Sequence, residues 1–176
     1  MNLPNKLTIA RMIAVPFFIA AFMLGMYPAA LVIFCAASIT DYFDGKIARS
    51  QNLDTIFGKI MDPLADKILV YSALCLFIET DTIEAWMLII ILAREFIVAG
   101  MRTVAASEGR VLAAGMSGKI KTVLQMISVI VMMAGLWLSD YPVIMTVGYY
   151  IFIASLIMTV YSGCEYVIQN KDVFSM

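Results

Sequence analysis

The chain has 176 residues, 62% of them hydrophobic and 14% charged, with a formal net charge of −1 and no histidine. Its mean hydropathy is +0.93, whereas a globular domain carries about 25% charged residues, so lipid is the expected solvent for much of the surface and nucleic acid is not an expected partner. The missing histidine removes the usual proton shuttle and transition-metal ligand, which leaves carboxylates for acid–base or metal work and selects hard ions such as Mg²⁺ or Mn²⁺.

Apolar runs long enough to cross a bilayer, roughly 17–25 residues each, predict six helices at about residues 9–27, 29–49, 55–78, 83–106, 117–138 and 142–169. The expected fold class is all-α: a polytopic membrane protein with six transmembrane helices, residues 1–176 forming one domain. The first run follows NLPNKLTIAR, has no small-x-small cleavage site and leads through a short loop into another span, so it reads as a retained helix rather than a signal peptide. The connections near residues 25–28, 79–84 and 139–142 contain no Lys or Arg; all twelve basic residues lie at or near the opposite ends. By the positive-inside rule both termini face the cytoplasm.

The second and third predicted helices frame the stretch DYFDGKIARSQNLDTIFGKIMDPLADK, residues 41–67. The polar SQNLD between them reads as a turn with Asn52 at its tip. In an antiparallel hairpin, residues equidistant from the tip share a depth: Asp44 mirrors Asp62 and Asp41 nearly mirrors Asp66, roughly 8–16 Å from the helix ends at the α-helical rise. Asp41 and Asp44 are spaced i, i+3 and Asp62 and Asp66 i, i+4, so each pair shares a face. Gly45 and Ala48 continue the first face and Gly58 the second, small residues that admit a close backbone or ligand. An Asp near a membrane helix centre costs about 2.5–3.5 kcal/mol, so four need a reason. Neutralisation by Lys46, Lys59 and Lys67 is one. Divalent cations bridging two aspartates per helix, a two-metal geometry, explain the arrangement better, and Asp54 in the turn reads as solvated or capping.

The fifth and sixth helices carry Met132, Met133, Trp137, Tyr149 and Tyr150, read as packing or lipid-facing residues without chemistry. Cys35, Cys75 and Cys164 are isolated in apolar helices and read as small buried hydrophobes rather than a disulfide or metal set.

Residues 41–66 fit D-x2-D-G-x2-A-R-x8-G-x3-D-x3-D without a mismatch, a pattern that resembles the signature of the CDP-alcohol phosphotransferase family. The flanks LPNKLTIAR and LAREFIVAGMRTVAASEGRVLAAGMSGKIKTVLQ, the latter at 92–125, resemble the branch whose acceptor is sn-glycerol 3-phosphate. The resemblance implies displacement of CMP from CDP-diacylglycerol by an acceptor hydroxyl. It also implies Mg²⁺, with Mn²⁺ possible and two ions expected, on Asp41, Asp44, Asp62 and Asp66, and Asp66 doubling as general base. It implies CDP-diacylglycerol contacts at Gly45, Ala48, Arg49, Thr55 and Gly58, and at Asn5 and Thr8, for which helix capping is the competing reading.

Arg102, Lys119 and Lys121 match positions expected to hold the acceptor phosphate, with Arg110 and Arg94 as weaker candidates. For Arg94 simple pairing with the neighbouring Glu95 is the competing reading, and for any of these cations it is a purely topological role. The family further implies a homodimer in a bacterial cytoplasmic membrane, with acyl chains in unassigned grooves and the active site facing the cytoplasm. Two other readings stay open: a sister enzyme using inositol phosphate or serine, and a divalent-cation transporter using the aspartates as a transit site.

Overall fold

The computed structural model describes residues 3–51, 56–110, 112–113 and 115–175; within these the side chains of residues 3–6, 41–51, 56–60, 62, 63, 66, 174 and 175 lie outside the description. Among the described residues there are six α-helices and no strand: α1 (Leu3–Met23), α2 (Tyr27–Gln51), α3 (Ile56–Glu79), α4 (Ala85–Ser107), α5 (Met116–Trp137) and α6 (Pro142–Gln169). A short 3-10 helix, Lys171–Ser175, follows α6.

Three of the described connections have a common origin. At the end of α1, Gly25 takes φ +72°, its N–H donates to the Phe22 carbonyl and that of Met26 to the Ala21 carbonyl, both at 2.9 Å. This 5→2 and 6→1 pairing is a Schellman cap, which satisfies helix-end carbonyls and requires a left-handed residue. The same pairing recurs after α3 around Asp81 (φ +53°) and after α4 around Gly109 (φ +75°). The first helix consequently starts and ends earlier than its apolar run suggests. Pro4 near its start needs no N–H there, and the Gly25 cap stops it at Met23.

Packing is closest between α5 and α6, while α1 lies against both α2 and α3, α2 reaches α5, and α4 lies against α6; α3 also touches α2, α4 and α5. The core runs through all six helices, with Phe18, Phe34, Leu69, Leu74, Phe77, Ile91, Met132, Met133 and Phe152 fully buried. At the α1–α2 turn, Phe22 meets the Tyr27 ring at 5.3 Å and the Phe77 ring at 5.8 Å, both edge-on, the geometry that aromatic quadrupoles favour. A second, smaller cluster of Val98, Met101, Ala105, Tyr166 and Val173 ties the 3-10 helix to α4 and α6.

Among the described residues two helices, α5 and α6, are long and apolar enough to cross a membrane; α1 and α2 contain shorter apolar stretches, Leu7–Met23 and Tyr27–Thr40. The buried hydroxyls of α5 and α6 are satisfied within their own helices. Ser128 donates to the Gln125 carbonyl at 2.7 Å, Ser155 to that of Phe152 at 2.7 Å and Thr159 to that of Ser155 at 2.7 Å. A helix in an apolar medium has to satisfy its polar groups in this internal way.

Candidate functional site

Four helices meet around a polar cavity of about 420 Å³. It is lined by Lys67 of α3, Arg94, Glu95 and Arg102 of α4, Ser117, Gly118 and Lys119 of α5, and Ser162, Glu165 and Tyr166 of α6. Its wall is organised by one carboxylate. Glu95, 9% exposed, accepts from Arg94 Nη1 at 2.8 Å and Lys121 Nζ at 2.8 Å on Oε1, and pairs with Lys67 Nζ at 3.0 Å on Oε2. Lys121 is itself only 4% exposed. A buried ammonium persists only where partners replace its water, and Glu95 is the partner that does so.

The rest of the wall is equally specific. Arg102 Nε donates to the Tyr166 hydroxyl at 3.1 Å, and its Cζ lies 5.4 Å from the centroid of the same ring. Lys119 is exposed on the first turn of α5. Ser117 donates to Glu165, whose other oxygen accepts from Gln169 at 3.4 Å. Arg94 Nε is buried with no hydrogen-bond partner among the described residues.

Of the residues predicted to hold the acceptor phosphate, the structure brings Arg102 and Lys119 to the cavity and joins Lys121 to it through Glu95. Arg110 sits elsewhere, its guanidinium 4.0 Å from the Asp172 carboxylate. Arg94, a weaker candidate for the same role, also lines the cavity, whereas Lys67 and Glu95 are cavity residues that the sequence reading did not assign to the acceptor. Arg94 and Glu95 are indeed paired as neighbours, but the sequence carries no signal that Lys67 and Lys121, on two other helices, share the same carboxylate.

Thr8, one of the predicted CDP-diacylglycerol contacts, is fully buried in the second turn of α1, a position too far inside the helix for an N-cap. The other predicted positions lie outside the described residues, wholly for Thr55 and in their side chains for Asn5, Asp41, Asp44, Gly45, Ala48, Arg49, Gly58, Asp62 and Asp66. Their backbones place Asp41 and Asp44 on α2 and Asp62 and Asp66 on α3, two helices in contact. Lys67, which pairs with Glu95, directly follows Asp66. The cation cavity and the aspartate helix are therefore continuous along α3.

Comparison with known proteins agrees on one family. The model of the CDP-alcohol phosphatidyltransferase family matches residues 1–161. The chain is 41% identical to a CDP-diacylglycerol–glycerol-3-phosphate 3-phosphatidyltransferase of Bacillus subtilis, over 97% of this chain and 96% of that protein. It is 37% identical to a protein of the same name from Rickettsia felis, over 98% of this chain and 97% of the other. A third, from Shigella flexneri serotype 5b, is 36% identical over 94% of this chain and 92% of its own length.

Proposed function

We propose that this chain, which belongs to the CDP-alcohol phosphatidyltransferase family, transfers the phosphatidyl group of CDP-diacylglycerol to sn-glycerol 3-phosphate, giving phosphatidylglycerophosphate and CMP. The observation that carries the reading is the cavity in which Lys67, Arg94, Arg102 and Lys119, with Lys121 behind Glu95, outnumber Glu95 and Glu165. A cation-rich polar pocket suits an acceptor that brings its own phosphate. Serine brings none, and a divalent cation in transit would be repelled. Inositol phosphate would suit the pocket's charge equally; the names of the full-length relatives favour glycerol 3-phosphate.

The donor set on α2 and α3 fits a hard divalent cation: four aspartates, two per helix, in a chain without histidine. In this reading Asp41, Asp44, Asp62 and Asp66 hold Mg²⁺, or Mn²⁺, with two ions expected. Bound there, the metal would supply charge neutralisation at the diphosphate and the leaving oxygen. Asp66 takes the proton from the acceptor hydroxyl as that oxygen attacks the phosphatidyl phosphorus. The bond from this phosphorus to the CMP oxygen breaks, and CMP leaves with the electron pair. Asn5, Thr8, Gly45, Ala48, Arg49, Thr55 and Gly58 surround the nucleotide and its phosphates. The cation cavity holds the acceptor phosphate beside Lys67, the residue after that base. Arg102 supplies a forked guanidinium and Lys119 a mobile ammonium; Arg110 has a secondary part at most.

The chain sits in the cytoplasmic membrane as six spans with both termini and the active site on the cytoplasmic face, and works as a homodimer. Exposed Phe17, Phe96, Val143, Ile157 and Ile168 support immersion in lipid, because soluble monomers rarely carry such extensive apolar surface.

CMP release from CDP-diacylglycerol in mixed micelles, with glycerol 3-phosphate, inositol phosphate and serine each offered with and without Mg²⁺, tests the function. Turnover is expected with glycerol 3-phosphate and Mg²⁺ together. Turnover with a different acceptor alone would overturn the reading.

A further inference from the structure

The cation cavity is built around Glu95 rather than around any of its cations. Its carboxylate draws one side chain from each of three helices: Lys67 from α3, Arg94 from α4 and Lys121 from α5. These three carry like charge and would separate without it. Lys121 has almost no exposed surface to retreat to, so separation would have to move helices. One negative charge against three positive ones leaves two unmet, and a phosphate monoester near neutral pH carries about 1.5–2 negative charges. We propose that Glu95 is the positioning residue of the acceptor site. It holds Lys67, Arg94 and Lys121 at one locus so that their surplus charge is presented to the acceptor phosphate; this rests on the function proposed above.

Two further observations support that assignment. Arg94 Nε is buried and has no partner among the described residues, although its Nη1 is bound to Glu95. The carboxylate therefore fixes the guanidinium while another donor of the same group stays buried and unmet, a feature that calls for an explanation in a folded protein. The seat of Arg94 is also shaped by absence of side chains on both neighbouring helices. A Cβ on Gly163 of α6 would stand 2.8 Å from Arg94 Cγ, and one on Gly118 of α5 would stand 3.2 Å from Arg94 Nη2. The first distance is too short for any relaxed contact, so Gly163→Ala has to displace Arg94 along its stem without altering a charge. Glu95 and Gly163 act on the same side chain, one by attraction at the guanidinium and one by leaving space beside its stem.

Steady-state kinetics of the full chain in micelles tests this with three variants. Glu95→Gln removes the charge, Glu95→Asp keeps it one methylene short, and Gly163→Ala moves Arg94 with every charge in place. For Glu95→Gln the KM for glycerol 3-phosphate should rise at least about tenfold, the scale expected when one partner of a buried charge cluster is truncated. The KM for CDP-diacylglycerol should stay within about twofold, the split that marks lost binding at one substrate only. Glu95→Asp should fall between Glu95→Gln and wild type, and Gly163→Ala should raise the acceptor KM in the same selective way. A merely structural glutamate would instead lower the yield of active protein or shift both KM values together, and either pattern in the folded variants overturns the proposal. If Glu95→Gln does not fold, Glu95→Asp and Gly163→Ala decide: an unchanged acceptor KM in both refutes it. Wild-type chain with no turnover on glycerol 3-phosphate refutes the function and this inference together. Wild-type turnover with an indifferent Glu95→Gln refutes the positioning role alone.

Discussion

Arg102 is anchored twice by one side chain, through its Nε to the Tyr166 hydroxyl and through its guanidinium over the same ring. Tyr166 in turn is nearly buried among Val98, Met101, Ala105 and Val173, so the apolar cluster at the end of α4 sets where a cavity cation stands. Tyr166→Phe keeps the ring and the cluster and removes only the acceptor oxygen, a loss of about 0.5–1.5 kcal/mol for one hydrogen bond. The expected outcome is a few-fold higher KM for glycerol 3-phosphate with kcat and thermal stability near wild type, measured by CMP release and by unfolding in detergent. Asp66→Asn is the opposite case: if Asp66 is the base as proposed, proton acceptance is lost with little change in volume, so turnover should be abolished while the variant elutes and melts like wild type. Near-full turnover by Asp66→Asn would remove it as the base.

The pair α5–α6 shows how small residues decide where elements touch. A Cβ on Gly148 would lie 2.8 Å from Met132 Cγ and 2.9 Å from its backbone nitrogen, and one on Gly135 would lie 2.9 Å from the Met145 backbone. The two helices thus approach backbone to backbone, each glycine receiving a methionine of its neighbour, as small residues allow where lipid offers no hydrophobic drive. Gly148→Ala would force the helices apart and should destabilise the chain by about 1–3 kcal/mol, the overpacking scale, read as a lower midpoint of thermal unfolding in detergent. Unchanged stability would mean that the two helices can slide to admit a methyl group. Most helices were legible because their connections gather the non-apolar residues: the turns at residues 80–84 and 138–141 fall where the apolar runs break, whereas the turn at 24–26 lies inside the first run and is set by the Gly25 cap. The start of α1 was not, since Leu3–Thr8 mixes polar and apolar residues and is helical without an apolar run. The 3-10 helix was not either, because five residues held by one buried Val173 leave no periodicity to read. The candidate site divides in the same way. Local spacing carries the four aspartates, whereas Glu95 acquires its meaning only when α3, α4 and α5 are side by side.

The arrangement of the whole chain sets where charge can face water. Asp81, Asp140 and Glu84 are exposed in or beside the turns after α3 and α5, which hold no Lys or Arg, whereas the cation cavity lies toward the other ends of the same helices. If the chain spans the membrane as proposed, those turns face away from the cytoplasm, and the α4–α5 connection, with exposed Glu108 and Arg110, faces it. Single cysteines at Asp140 and at Glu108, in a background with Cys35, Cys75 and Cys164 changed to alanine, separate the two sides. A membrane-impermeant maleimide should label Asp140→Cys in intact cells and Glu108→Cys only after permeabilisation. The reverse pattern would put the cavity on the outer face, away from the cytoplasmic pools of charged acceptor, and would contradict the orientation. Labelling of both in intact cells would contradict the odd number of crossings between residues 108 and 140 that α5 alone must supply.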